Sequence, residues 1–418
     1  MRPDLDGEAD EATWQPSGGA VAPGDLQGGW LSGPEAFERL GEGWNALAEQ
    51  SEHPALCAGL AWGRSWWETF AVADDRLFVF ACWHEGVLIG LAAFVASRRR
   101  VRRCSPFVLR VLHMLGSGER DEDDVAAEYG DVLVAAGYEA AYSARLGAAL
   151  VDGDGPRWDV AFLYNQLDGA VSLQRLLPVL QRLGCHAVTE PCGVRYVVPL
   201  PDSWEAFLAT LGATFRAKLR SDRRRLARAG TLEVETLGGR EGARRGIARL
   251  AALHSARWRG KGEYGAFHSA TVLGFHRRLL ESAGGPEHGE VLVATLDGRD
   301  LAAVYTLRVG ATVHFYQSGF EAGLAPNVSL GAYVLGLAIE RAIAAGASEF
   351  DLMKGQVPSY KARYGGFEVP MVHATVFAPT PHGRFSRLFA AGVDLLRAAL
   401  RAATAARSSS RPPASGAA

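Results

Sequence analysis

The densest group of residues able to do chemistry lies between Phe315 and Gly366. Glu349-Phe350-Asp351-Leu352-Met353-Lys354-Gly355 reads as a short strand that ends on an acid and a lysine, with Tyr360-Lys361 close behind. Charged and phenolic groups gathered at the carboxyl end of a strand are costly to bury, and such places commonly bind ligands. Taken singly, Asp351 reads as a cap and Tyr360 as a core ring; as a set, a site is the better explanation. A carboxylate there can accept a proton, a phenol can donate one, and an ammonium can orient an anionic group. A second device precedes it. The strand holding Tyr316 and Ser318 runs into Ala325-Pro326-Asn327-Val328, and a helix opens at Ser329-Leu330-Gly331-Ala332. First-turn amides and the positive end of the dipole suit a phosphate or pyrophosphate, and Gly331 would let it come close. Ser329 is equally an ordinary N-cap.

The devices of several other chemistries are missing. The chain has no Gly-x-x-x-x-Gly-Lys-Ser/Thr loop, no Gly-x-Ser-x-Gly elbow and no His-Glu-x-x-His helix. Five cysteines, an odd number without zinc-like spacing, read as buried hydrophobes in a reducing compartment, and no metal site is expected. The 44 basic and 46 acidic side chains give a net charge of −2, which argues against a global grip on nucleic acid and makes DNA an unexpected partner. Only four lysines stand among the 44 basic residues, and two of them are Lys354 and Lys361. The first residues lack the apolar core of a signal peptide, and Val87–Ala96 is too short to span a bilayer, so a cytoplasmic location is expected.

The elements that must position these residues follow from periodicity. Leu77–Trp83 and Val87–Val95 flank His84-Glu85-Gly86, and Val291–Leu296 and Leu301–Val309 flank Asp297-Gly298-Arg299. Both read as hairpins, since Gly takes the positive φ that tight turns require. Their spacing of about 210 residues suggests a duplicated domain. In the second copy Ile247, Leu250, Leu253 and Trp258 recur at helical spacing. Ser329–Ala345 is a strong helix that offers Leu330, Val334, Leu337, Ala338 and Ile343 to a buried face. Helices, hairpin, strand, helix and strand make an α+β domain with a mixed β-sheet flanked by helices. The expected layout is 1–33 without fixed structure, domains over 34–198 and 199–380, an amphipathic helix over 381–406 and a tail over 407–418.

Taken in order, Leu253-His254 with Arg257-Trp258, Phe275-His276, Asp297-Gly298 before Leu301-Ala302-Ala303, Tyr316 with Ser318-Gly319-Phe320-Glu321, Ser329-Leu330-Gly331, Phe350-Asp351 with Gly355, and Tyr360-Lys361 resemble the acetyltransferase domain of CelD/BioF2-like proteins. These are relatives of the Fem-type aminoacyltransferases within the GNAT superfamily. The first half resembles the family more loosely, through Trp62, Trp66, the first hairpin and Glu128-Tyr129-Gly130-Asp131. The resemblance implies two tandem GNAT-like domains, the first degenerate, and direct transfer of an acyl group from acyl-CoA to an amine of a small molecule or sugar. It implies acyl-CoA as cosubstrate and no permanent cofactor. Tyr316, Ser318, Ser329, Leu330, Gly331 and Ala332 would hold acyl-CoA, and His254, Arg257, Trp258 and Lys354 would face the acceptor. Asp351, Tyr360 and Lys361 would be catalytic, as base, acid and anion-orienting group. Leu330 stands where the family often has Pro, and Gln356-Val357-Pro358-Ser359 lacks the family's acid. Two alternatives stay open: a Fem-like enzyme using aminoacyl-tRNA, and a degenerate pair acting as a scaffold in exopolysaccharide biosynthesis. Arg216–Arg228, with seven basic residues, reads as a tRNA contact or as a solvated helix face. Arg384–Arg407 is amphipathic and suits either its own domain or an anionic membrane surface.

Overall fold

A computed structural model of the chain describes residues 21–389, apart from 52–55, 101–107, 120–122, 153, 260–264, 268 and 283–288. The expected 390–406 helix segment, the 407–418 tail and the first 20 residues therefore lie outside the described residues. So do the side chains of Arg257 and Trp258, although their backbone continues a helix.

The first half supplies β1 (Gln27–Ser32), β2 (Arg76–His84), β3 (Val87–Arg100), β4 (Val108–Met114), β5 (Leu133–Val134), β6 (Val160–Leu167) and β7 (His186–Pro199), with α1 (Ala36–Glu49), α2 (Leu60–Phe70), α3 (Glu139–Val151) and α4 (Leu177–Arg182). The second half supplies α5 (Trp204–Thr210), α6 (Ala213–Ala229), β8 (Leu232–Gly238), α7 (Gly239–Arg259), α8 (Ala270–Glu281), β9 (Gly289–Leu296), β10 (Arg299–Val309), β11 (Thr312–Phe320), α9 (Leu330–Ala344), β12 (Glu349–Gly355) and β13 (Phe367–Phe377).

The strands form one mixed sheet in the order β1-β2-β3-β4-β6-β13-β7-β12-β11-β10-β9-β8, with β5 paired to β3. The two ends mirror each other. β1 to β4 are antiparallel and β4 then pairs β6 in parallel; β8 to β11 are antiparallel and β11 then pairs β12 in parallel. The duplication is thus visible strand by strand. Its last strands are exchanged: β7 of the first half pairs β12 of the second, β13 of the second pairs β6 of the first, and β7 and β13 pair each other.

Local chemistry explains the frame. Both hairpin turns have two successive residues at positive φ, Glu85 at 51° and Gly86 at 82°, Asp297 at 49° and Gly298 at 73°. That is the primed turn which matches strand twist. In α9, Leu330, Val334 and Ala338 are buried as expected, whereas Leu337 and Ile343 are half-buried. Ile247, Leu250 and Leu253 of α7 are buried against β9 to β11. One expectation is corrected. Residues 27–32, placed in the segment without fixed structure, form edge strand β1, because Leu26 and Leu31 are buried and Trp30 packs edge-on against Phe80 at 5.0 Å.

Candidate active site

β11 and β12 pair only over Thr312–His314 and Glu349–Asp351 and then diverge. The wedge that opens there has His314 and Asp351 at its apex, directly opposite each other. Asp351 is completely buried and saturated with donors. Its Oδ2 accepts from Arg195 Nε at 2.8 Å and lies 3.1 Å from His314 Nδ1. Its Oδ1 accepts from the Met353 amide at 2.7 Å and from the Tyr129 hydroxyl at 3.3 Å. Burial pushes the Asp351 carboxyl upward, but His314, Arg195 and the Met353 amide together outweigh it, and the group lies below the ordinary carboxylate range. A carboxylate so held organises its neighbours and is a poor proton acceptor.

The first half reaches into this wedge. Its loop over residues 123–132 brings Tyr129 to Asp351, and Glu128 Oε2 accepts from the Lys354 amide at 2.7 Å. The Tyr316 hydroxyl of β11 donates to Val125 O of the same loop at 2.5 Å. Glu128 is buried, and burial raises its carboxyl to about 7; the Lys354 amide lowers it, Asp351 raises it and Lys361 lowers it. A carboxyl titrating near neutrality beside a strand end is the group best matched to general base chemistry here.

Backbone strain marks the same spot. Tyr129 (φ 60°), Asn165 (φ 49°) and Met353 (φ 60°) are non-glycine residues in the left-handed region, and they meet. The Tyr129 amide donates to Asn165 O at 3.0 Å, Lys354 Nζ donates to Asn165 Oδ1 at 2.6 Å, and Met353 lies in the bulge that separates Asp351 from Lys354 in β12. Each such residue costs about 1–3 kcal/mol, and surroundings that hold three together are typical of a functional centre.

The sequence-derived candidates fall into different places. Asp351 and Lys354 are in the centre. Lys361 is beside it, but its ammonium donates to the carbonyls of Leu352 (2.5 Å), Lys354 (2.6 Å) and Met353 (3.3 Å), so it fastens the end of β12 instead of facing an anionic substrate. Tyr360, on the neighbouring turn, is 54% exposed and stands at the rim. His254 is buried behind β11, edge-on to Phe267 at 5.3 Å, and a Cβ added at Gly319 would lie 2.5 Å from its amide nitrogen. It is a packing residue, which corrects its placement toward the acceptor. The helix at Ser329 begins as expected, but the Ser329 amide donates to Asp222 Oδ2 at 3.1 Å, and Lys218 neutralises that acid at 3.1 Å. Leu330 is buried and its amide donates to Val328 O, which leaves Gly331 and Ala332 as the first-turn donors. Ser318 is buried on β11, and its amide is covered by the Gln317 side chain at 3.0 Å.

Sequence reasoning missed Arg195 and His314 and left Glu128 in a loose match. A signal existed for His314. Its register partner in the first half is His113, opposite Phe162, where the second half has His314 opposite Asp351. The first wedge keeps the histidine and lacks the acid, which makes the two halves chemically unequal. A groove of about 540 Å³ lined by Glu290, Arg308 and Arg341 lies elsewhere; the wedge is marked by its chemistry, and the Val125–Tyr129 loop borders it.

Residues 213–362, from α6 to the turn carrying Tyr360 and Lys361, match the family model described as an acetyltransferase (GNAT) domain. The crystal structure of FemX shares the fold, with a TM-score of 0.55 and 11% identity over 80% of this chain and 95% of that one. L-PGS from Bacillus licheniformis aligns at 14% identity over 83% of this chain and 92% of its own, with a TM-score of 0.48. A tandem GNAT protein from the clavulanic acid biosynthesis pathway aligns at 12% identity over 85% and 99%, with a TM-score of 0.45. No curated protein sequence matches the chain.

Proposed function

We propose that the protein is a cytoplasmic N-acyltransferase that moves an acyl group, acetyl or longer, from acyl-CoA to an amine of a small molecule or an envelope-polysaccharide precursor. The observation that carries this reading is the wedge between β11 and β12 with a near-neutral carboxyl, Glu128, at its end. The pyrophosphate would lie on the Gly331 and Ala332 amides, and the pantetheine arm along the edge of β11 that β12 leaves uncovered after His314. The Ser318 amide, in exchange for Gln317, is the donor placed to polarise the thioester carbonyl. The amine nitrogen attacks the carbonyl carbon, the C–S bond breaks, Glu128 takes the amine's proton and Tyr360 protonates the departing thiolate. Asp351 holds His314, Arg195 and Tyr129 in place around that path.

The resemblance to Fem-type aminoacyltransferases leaves a second donor open, an aminoacyl-tRNA, which the basic helix α6 would meet. Against it, four of the seven basic residues already bind within the chain: Arg216 the Leu208 carbonyl, Lys218 Asp222, Arg223 Glu340 and Arg225 the Asn327 carbonyl. Calorimetry with acetyl-CoA, longer acyl-CoAs and charged tRNA separates the readings. Acyl-CoA binding is expected; tight tRNA binding with no acyl-CoA binding would overturn the first, and binding of neither would favour a scaffold.

A further inference from the structure

The helix over residues 381–389, which follows β13, is mounted with its apolar side outward. Its inner face is Gly383 and Ser386, both buried, and a Cβ added at Gly383 would run into the Ala378 carbonyl. Its outer face carries Phe385, Leu388 and Phe389 at 48%, 66% and 39% exposure, the two rings stacked at 6.5 Å. A surface helix that turns small and polar residues inward and large apolar ones outward buries little apolar area against the described residues.

The surroundings specify what covers it. Arg384 and Arg387 stand exposed on the same helix, and residues 381–389 contain no acid. His382 opens onto a groove of about 600 Å³ lined also by Arg98, Arg100, Arg110, Asp74 and Asp159. Asp159 is already neutralised by Arg110, with contacts of 2.5 and 3.1 Å, so Arg98 and Arg100 stand against the one remaining lining carboxylate, Asp74, and the groove stays net positive toward an anion. From 381 to 407 the sequence carries five arginines against one acid, Asp394. Aromatic and leucine side chains beside exposed arginines match the boundary between headgroups and acyl chains of an anionic bilayer. A second copy fits worse, since a two-fold contact would set these arginines against themselves. We propose that this face, Phe385, Leu388 and Phe389 with Arg98, Arg100, Arg384 and Arg387, docks the protein peripherally on an anionic membrane surface. No helix among the described residues is long and apolar enough to cross a membrane, so the contact is one of surface binding.

The test is sedimentation of the full chain with phosphatidylcholine vesicles and with vesicles containing phosphatidylglycerol, at low and high salt. Binding to the phosphatidylglycerol vesicles alone, weakening with salt, is expected. The combined Phe385→Ser, Leu388→Ser and Phe389→Ser variant should lose it, and Arg98→Ala with Arg100→Ala should weaken it roughly 30-fold, both with unchanged thermal unfolding. The arginine pair keeps the test decisive if the triple variant does not fold. Failure to bind phosphatidylglycerol vesicles at low salt, or binding indifferent to the variants, would overturn the proposal. So would a dimer in sedimentation velocity that the triple variant dissolves, or a preference for an oligonucleotide over the vesicles.

Discussion

Asp351, Glu128 and Tyr360 are three oxygen acids with three different environments, and their substitutions separate accordingly. Asp351→Asn removes the nearer and fully buried of the two carboxylates beside Arg195, leaving Glu349 at 3.5 Å, and should lower stability by about 1–3 kcal/mol in denaturant unfolding. Because the Asp351 carboxyl is held below its unfolded value, its contribution is present above about pH 4 and is lost as pH falls through the lowered value. The wild type should therefore lose more stability than Asp351→Asn on acidification, and equal losses would show that the ion pair contributes nothing. Tyr360 is at the rim, so Tyr360→Phe should leave unfolding unchanged. As donor to the thiolate it should lower kcat roughly 10²-fold with little change in KM for acyl-CoA. A kcat equal to wild type would remove Tyr360 from the mechanism.

At the scale of elements, glycines set the close approaches. Gly319→Ala would press a methyl onto the His254 amide and the Leu253 carbonyl carbon, atoms of α7 backbone that cannot swing away. It should cost about 1–3 kcal/mol and be read as a lower Tm. Gly331 tests the donor site instead. A small side chain there would only graze the Phe320 ring at 3.3 Å, so Gly331→Val should fold while obstructing the first-turn amides. KM for acyl-CoA should rise about 10-fold, some 1.4 kcal/mol of binding, and kcat should change less. Elements of this kind were legible in the sequence because their signals are local: Asp297-Gly298 names its own turn, and Leu330, Val334 and Ala338 repeat at the helical period. The first half's loop was not. Glu128, Tyr129 and Arg195 reach Lys354 and Asp351 across 226, 222 and 156 positions, and no periodicity links residues that only the tertiary fold brings together. Lys361 misled for a related reason: its type suggested a ligand, whereas the end of β12 supplied carbonyls for its three protons.

At the scale of the molecule, the exchange of β7 and β13 makes the halves interdependent. The junction near residue 199 reads in the sequence as a boundary between domains, but cutting there would leave β12 and β13 without the strand that separates them. The second half alone, from residue 200, should be insoluble or unfolded by circular dichroism, and co-expression with residues 1–199 should restore a soluble complex. The same exchange sets Glu128 of one half against Lys354 of the other, so the chemistry depends on the whole sheet. The most direct test of this arrangement is the pH dependence of thiol release from acyl-CoA in the presence of an amine acceptor, for wild type and Glu128→Gln. With Glu128 as the base at about 7, wild-type kcat should fall as the pH drops below neutrality. Glu128→Gln should be slower by about 10²–10⁴-fold and lack that acidic limb. A Glu128→Gln enzyme that keeps both the rate and the limb would contradict a catalytic centre shared between the two halves.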